Sequence, residues 1–424
     1  MKQGLLRAIG VTAWAATVAV AAAGCGGSGD DASSGGKTGS TTLAVWLMRD
    51  TASDDFVKAY KSDFEAAHPG VRLDVQIQEW DGIGEKISSA LASKDAPDVI
   101  EVGNTQVAQY AASGGVTDLS DHAAEWGGKD WLPGLAEPGK VDGKQYGIPF
   151  YAANRVVIYD KSKFSKAGIT APPKTRDEWL KDTGKLNTGK QQGIYLPGQN
   201  WYVLSGFVWD EGGDLAVQEG GKWKGALSTP QALAGMDFYK KLQALGKGPK
   251  DSDEAKPNQI DVFAKGDVAQ FIATPGAANL VAKANPKLKD RMGFFPIPGK
   301  TADKPGTVFT GGSDLIIPMA SKHQSQAIEV VKSLTGDRWQ KELAQAMSYV
   351  PNKLTLTSAV SSQPGTAAMA AAAVNGRATP NSPDWAAVEA KNPIKEYETK
   401  VLTGGDPAAA AREADDIITK ALNS

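Results

Sequence analysis

Cysteine and histidine are almost absent from this chain. Its single cysteine, Cys25, excludes an internal disulfide and a thiolate metal cluster. Its three histidines, His68, His122 and His323, have no second histidine or cysteine three or four residues away, so the sequence offers neither a metal site nor a sign of a cofactor. Charge of one sign is also lacking: 46 Lys and Arg against 48 Asp and Glu leave a formal charge of −2, without the basic field of a nucleic-acid binder. No G-x-S-x-G elbow or P-loop occurs, and no G-x-G-x-x-G lies in the region of predicted strands and helices. The usual signposts of hydrolase, nucleotidase and dehydrogenase chemistry are therefore missing.

What is there is a chain of 424 residues, 41% of them hydrophobic, enough for two or three domains with a large core. The only long apolar run stands at the start. Lys2 and Arg7 precede an Ala-rich stretch from Ala8 to Ala23, the charged-then-apolar layout of an export signal, expected over residues 1–24. The stretch is shorter than the roughly 20 residues that span a bilayer. Its end, Ala22-Ala23-Gly24-Cys25, resembles the lipobox of bacterial lipoproteins, with Ala22 where Leu is usual. That resemblance implies a lipid, such as palmitate, on Cys25 and a membrane anchor. Residues 25–40 then read as a Gly/Ser linker, too poor in apolar surface to fold, with a reach of about 20 Å.

From Thr41 the pattern becomes regular. TLAVWL reads as a strand, and Phe56, Tyr60 and Phe64 at four-residue spacing mark a helix from Asp54 to His68 that Pro69-Gly70 stops. Val71, Leu73, Val75 and Ile77 alternate as a strand; Ile83, Ile87 and Leu91 mark a second helix, and PDVIEV at residues 97–102 a buried strand. Thr175 with Glu178 has capping-box spacing, Gln231 to Leu245 reads as a helix, and Asp406-Pro407 opens a helix through Leu422. Strands alternating with helices of this length predict an α/β fold, a parallel or mixed sheet with helices on its faces. Ligands of such sheets sit beyond the carboxyl ends of the strands, where Trp46, Asp50, Trp80 and Asn104 to Gln106 fall. YGIPFYAANRVVIYDKSKF reads as a crossing between two lobes around Asn154, and VFTGGSDLIIP as a second place where strand-like residues meet adjacent glycines.

Asp210-Glu211 beside Trp209 is the pair that glycosidase chemistry would favour. Adjacent residues diverge on a strand or helix, so the two are poorly placed to flank one bond, and no enzyme is expected. Eleven tryptophans stand out more, several beside polar residues. An indole face suits the C–H face of a pyranose, while Asp, Asn, Arg and Gln match its hydroxyl edge. Core packing is the competing reading of any Trp. It weakens for Trp46 and Trp80 at strand ends and for Trp201 after a loop, whereas Trp223 in GGKWKG reads as an exposed hairpin.

In their order, PDVIEVGNTQ, DGKQYGIPF, NRVVIYDKSKFSKAGI, FTGGSDLIIP and the late NSPDW resemble the extracellular solute-binding lipoproteins of bacterial sugar ABC importers. GNTQ, NRVVIYDK and IYLPGQNWY look like the actinobacterial members that bind N,N′-diacetylchitobiose. The resemblance implies a two-lobed fold of the periplasmic-binding-protein type with crossings near Asn154, Gly311 and Pro351. The first lobe would span 41–153 plus 313–350, the second 154–312 plus 351–424. The ligand residues it implies are Trp46, Asp50, Trp80, Asn104, Gln106, Asn154, Arg155, Trp201 and Trp385, with Gly276, Gly311 and Gly312 letting backbone approach the sugar. It further implies an oligosaccharide ligand, transmembrane permease subunits as partners, and a monomer held outside the cell membrane through Cys25. Cellobiose, maltose, trehalose or a non-sugar solute are alternatives on the same frame.

Overall fold

The computed structural model describes residues 40–80 and 82–424. The signal segment, Cys25 and all but the last residue of the linker lie outside the described residues. Two sheets organise the rest. Their strands are β1 (Thr41–Met48), β2 (Val71–Gln78), β3 (Val99–Gly103), β4 (Ile148–Ala152), β5 (Val156–Asp160), β6 (Gln270–Ala273), β7 (Met292–Phe295), β8 (Gly312–Ile316) and β9 (Val350–Pro351). The larger sheet runs β9-β4-β8-β3-β1-β2, the smaller β6-β5-β7.

The larger sheet is mixed, as the alternation predicts. β1 lies parallel to both β2 and β3, while β8 is antiparallel to β3 and β4, and β9 is antiparallel to β4. Alternation along β1 sends Leu43, Val45 and Leu47 to one face and Met48 to the other. The first face receives the helix Asp54–Ala67. Ser53 Oγ caps it by accepting from Phe56 N at 3.2 Å, and two acidic residues occupy its first turn. Its buried Phe56 and Tyr60 meet Trp339 edge-on at 5.5 and 5.1 Å. The opposite face receives the helix Ile83–Leu91 through Ile83, Ile87 and Leu91.

The smaller sheet is wholly antiparallel about β5. It packs under a core centred on the helix Trp201–Asp210, in which every residue from Val203 to Trp209 is buried. A helix apolar all round is buried all round. The helix Arg176–Leu186 begins with the capping box expected at Thr175 and Glu178, and its Trp179 donates Nε1–H to Gln270 Oε1 on β6 at 2.9 Å. Trp223 lies on a two-stranded hairpin, but it is half-buried against this core rather than exposed.

Adjacent strands carry the chain between the sheets. β4 leaves the large sheet through Ala153, Asn154 and Arg155 into β5, and the segment after Phe309 returns through Thr310 and Gly311 into β8. The two passages bond to each other, Ala153 N donating to Gly311 O at 2.8 Å. A third passage follows β9, and Asn352 is still tied to the large sheet through Nδ2 to Pro149 O at 2.9 Å. No helix among the described residues is long and apolar enough to cross a membrane.

One acidic residue lies in the core of β8. Asp314 is fully buried, and neither carboxyl oxygen has a hydrogen-bond partner among the described residues. Burial pushes its carboxyl well above the usual range, because desolvation disfavours the charged form in the folded state. That contribution to stability is complete below the unfolded value of about 3.9 and is lost as pH rises toward the raised folded value. Asp314→Asn cannot ionise. Its Tm relative to the unsubstituted protein is expected to climb between pH 4 and pH 8 in thermal melts; a constant offset over that range would contradict this reading.

Candidate functional site

A cavity of about 920 Å³ lies between the two sheets, at the upper end of the 300 to 1,000 Å³ typical of small-molecule sites. Three parallel strands deliver one wall at their carboxyl ends: Asp50 after β1, Trp80 after β2, and Asn104 and Thr105 after β3. Arg155 at the start of β5, Tyr202 and the loop after β6 face them. Trp80 is 44% exposed and stands at the rim.

Aromatic rings build the floor. Tyr349 stacks on Tyr151 at 4.1 Å with 14° between their planes, and its hydroxyl donates to Asp50 O at 2.7 Å. Behind them the buried Glu101 accepts from Met48 N at 2.8 Å, Thr51 Oγ1 at 2.7 Å and Tyr151 Oη at 3.2 Å. Burial raises the Glu101 carboxyl while these hydrogen bonds hold it down. The Tyr349 hydroxyl is pushed up to about 12, by burial first and then by the charges of Glu101 and Asp50. Asp50 and Ser348, both at the cavity, have positive φ of 66° and 60°, a conformation that non-glycine residues hold only where surroundings enforce it.

Arg155 is fixed twice on the opposite wall. It pairs with Glu254 at 2.7 Å, and its guanidinium lies 4.2 Å from the Tyr202 ring centroid. Burial raises the Tyr202 hydroxyl and Arg155 opposes that rise. Beside them Ile260, Ala273, Pro275, Ala277 and Leu280 form an apolar strip. Glu389 closes one end, its Oε1 accepting Trp385 Nε1–H at 2.9 Å.

Six residues expected from sequence line this cavity: Asp50, Trp80, Asn104, Arg155, Gly276 and Gly312. The other six do not. Trp201 and Trp385 are 3% and 1% exposed and serve the core of the smaller body. Asn154 is buried, donating to Met369 O at 3.2 Å. Trp46 lies beneath Lys86, 5.0 Å from its ring centroid, and donates to Gln76 Oε1 at 3.0 Å. Gln106 accepts from Tyr110 Oη at 3.4 Å just behind Gly103, and Gly311 packs on the Ala153 carbonyl at the crossing. Asp210 and Glu211 both pair with the buried Arg176, at 2.7 and 2.8 Å, away from the cavity. Among the described residues no group of His, Cys, Asp and Glu could hold a metal ion.

Sequence reasoning missed Tyr202, Tyr349 and Glu389. Tyr202 follows Trp201 directly, and a buried helix start turns the first ring inward and the second out. Glu389 stands four residues after Trp385, the spacing that puts both on one helix face.

Comparison with known proteins follows the same architecture. The family described as bacterial extracellular solute-binding protein matches residues 49–341. The "Diacetylchitobiose binding protein DasA" of Streptomyces coelicolor is 42% identical over 429 aligned residues, covering 100% of this chain and 99% of that protein. The "Mannitol-binding protein" of Pseudomonas aeruginosa is 24% identical over 74% of this chain and 73% of its own. The sugar-binding protein MalE of Xanthomonas citri superposes with a TM-score of 0.81 at 22% identity, covering 90% of this chain and 98% of that one, and so shares the two-lobed fold.

Two of the glycines that line the cavity differ physically. Gly312 has φ of 150°, and a Cβ there would overlap the Tyr151 carbonyl oxygen; at Gly276 a Cβ would meet nothing within 4 Å. Gly312→Ala is expected to cost about 2 kcal/mol or more and Gly276→Ala less than about 0.5 kcal/mol. Urea denaturation of both variants tests the contrast, and equal costs would refute it.

Proposed function

The chain belongs to the family of bacterial extracellular solute-binding proteins, and from that premise we propose that it is the substrate-binding component of a sugar ABC importer, with N,N′-diacetylchitobiose as its solute. The observation that carries the sugar reading is Trp80, a large exposed indole at the rim of a cavity walled on its other side by the apolar strip from Ile260 to Leu280. An indole or phenol face takes the C–H face of a pyranose. The apolar strip suits the methyl groups of acetamido substituents, which a plain glucose disaccharide lacks. Asn104 spends its Nδ2 on Gly134 O and Thr310 O, at 3.2 and 2.9 Å, and keeps Oδ1 as an acceptor. The full-length likeness to DasA supports the same choice of sugar.

The mechanism is capture. The two lobes, 41–153 with 313–350 and 154–312 with 351–424, swing about the adjacent crossings; sugar first meets one lobe and contacts the other only on closure. Contacts to both lobes exist only in the closed state, so the ligand favours it by that differential affinity. The closed form then docks on the membrane permease. The chain does this outside the membrane as a monomer, after removal of residues 1–24 and lipidation of Cys25, and it returns the sugar unchanged.

Residues 26–424 should bind N,N′-diacetylchitobiose one to one in a calorimetric titration, more tightly than cellobiose, maltose or trehalose. Preference for one of those three would overturn the amino-sugar assignment, and cleaved sugar in the recovered sample would overturn the binding role. Trp80→Ala is expected to weaken binding tenfold or more, about 1.4 kcal/mol, while leaving Tm nearly unchanged because the ring is exposed. Unaltered affinity would remove Trp80 from the site.

A further inference from the structure

Glu389 is a half-buried carboxylate in the cavity wall. Burial raises its pKa, and what opposes the rise is hydrogen bonding from Trp385 and Thr105 rather than a nearby cation. The guanidinium that lines the same cavity, Arg155, is already engaged by Glu254 at 2.7 Å and by the Tyr202 ring. A carboxylate taken partly out of water without a cation must be met by hydrogen-bond donors, or it is costly to keep.

The surroundings define which donors. Trp385 is four residues earlier on the helix Trp385–Lys391 and is almost wholly buried, so its indole N–H holds Oε1 in one orientation. Thr105 approaches from the turn Asn104–Gln106 at the end of β3, which belongs to the larger sheet's body. The carboxylate therefore stands where the two bodies meet. It has about four acceptor positions, more than these two donors fill, and it borders the cavity. A sugar offers many O–H donors, and an acetamido sugar offers N–H donors as well.

We propose that Glu389 is a solute-binding residue, its carboxylate held in place by Trp385 and accepting a hydrogen bond from an O–H or N–H of the sugar at the boundary of the two lobes. The inference rests on the sugar-binding reading of the cavity. The Trp385 hydrogen bond gives the ligand a carboxyl acceptor of fixed orientation. It also explains why a fully buried tryptophan sits so near the cavity: Trp385 is a positioning residue, acting on the ligand through Glu389.

The test compares the unsubstituted chain with Glu389→Gln and Trp385→Phe by calorimetry, on whichever of chitobiose, cellobiose, maltose and trehalose the unsubstituted chain binds. The same variants are titrated with singly deoxygenated analogues of that sugar and, for chitobiose, with an analogue carrying acetoxy in place of one acetamido group. Glu389→Gln is expected to weaken the parent sugar tenfold or more with an unchanged Tm, and to make little difference to the one analogue that lacks the donor it meets. Trp385→Phe is expected to weaken the same sugar by a smaller factor, and to add no further loss when combined with Glu389→Gln. Equal affinity for the parent sugar in Glu389→Gln, or an equal loss across the parent and every analogue, would overturn the proposal while leaving the sugar-binding reading intact. If the unsubstituted chain prefers another sugar, the chitobiose assignment falls and the Glu389 comparison is still decided on that sugar. If it binds none of the four, both fall.

Discussion

Everything in this molecule is arranged around the fact that the polypeptide must pass between two bodies through neighbouring strands. β4 and β8 lie side by side in the larger sheet, and each continues directly into the smaller body, one at Arg155 and the other from Phe309. The bond from Ala153 N to Gly311 O ties the two passages into one narrow neck. Gly312 follows at once, in a conformation that only glycine adopts freely and pressed against the Tyr151 carbonyl. A neck of adjacent strands leaves a gap on its flank, and the ends of β1, β2 and β3 open onto that gap.

The polar groups of the site follow from their distance to this neck. Glu101, Tyr151 and Ser313 form a hydrogen-bonded block beneath the floor, so the Tyr349 ring rests on a support whose donors and acceptors are occupied. Such full satisfaction makes a buried polar network rigid. On the other side Arg155 is held by Glu254 and Tyr202, which leaves Asp50 and Glu389 as the cavity's acidic groups without a salt bridge among the described residues. The adjacent carboxylates Asp210 and Glu211 are engaged away from the cavity, both pairing with Arg176 in the smaller body.

Much of the scaffold was legible because it rests on local rules. The Phe56, Tyr60 and Phe64 stripe, the Thr175 capping box and the Asp406 cap each depend on residues within one or two turns, and each stands where it was expected. Boundaries are set less locally: β6 begins only at Gln270, because Val268 pairs instead as an isolated bridge with Gln192. The cavity was legible where strand ends define it, at Asp50, Trp80, Asn104 and Arg155. It was not legible for Trp201 and Trp385, since a tryptophan beside polar residues looks the same in sequence whether its ring turns toward solvent or core. Their neighbours Tyr202 and Glu389 took the places expected of them, a shift decided by helix rotation and by packing on Phe309 and the smaller core. Residue types at a crossing signal that a site exists; which side chain enters it depends on contacts more than 100 residues away.

In the proposed capture cycle the sugar joins two bodies that otherwise move about this neck. Small-angle X-ray scattering of residues 26–424 without and with saturating N,N′-diacetylchitobiose would show that joining as a change of size. Closure on the sugar requires a smaller radius of gyration in its presence, and in a variant lacking the Trp80 ring the same contraction should need roughly tenfold more sugar. An identical radius with and without bound sugar would contradict it, because the cavity would then be a rigid pocket rather than a closing cleft.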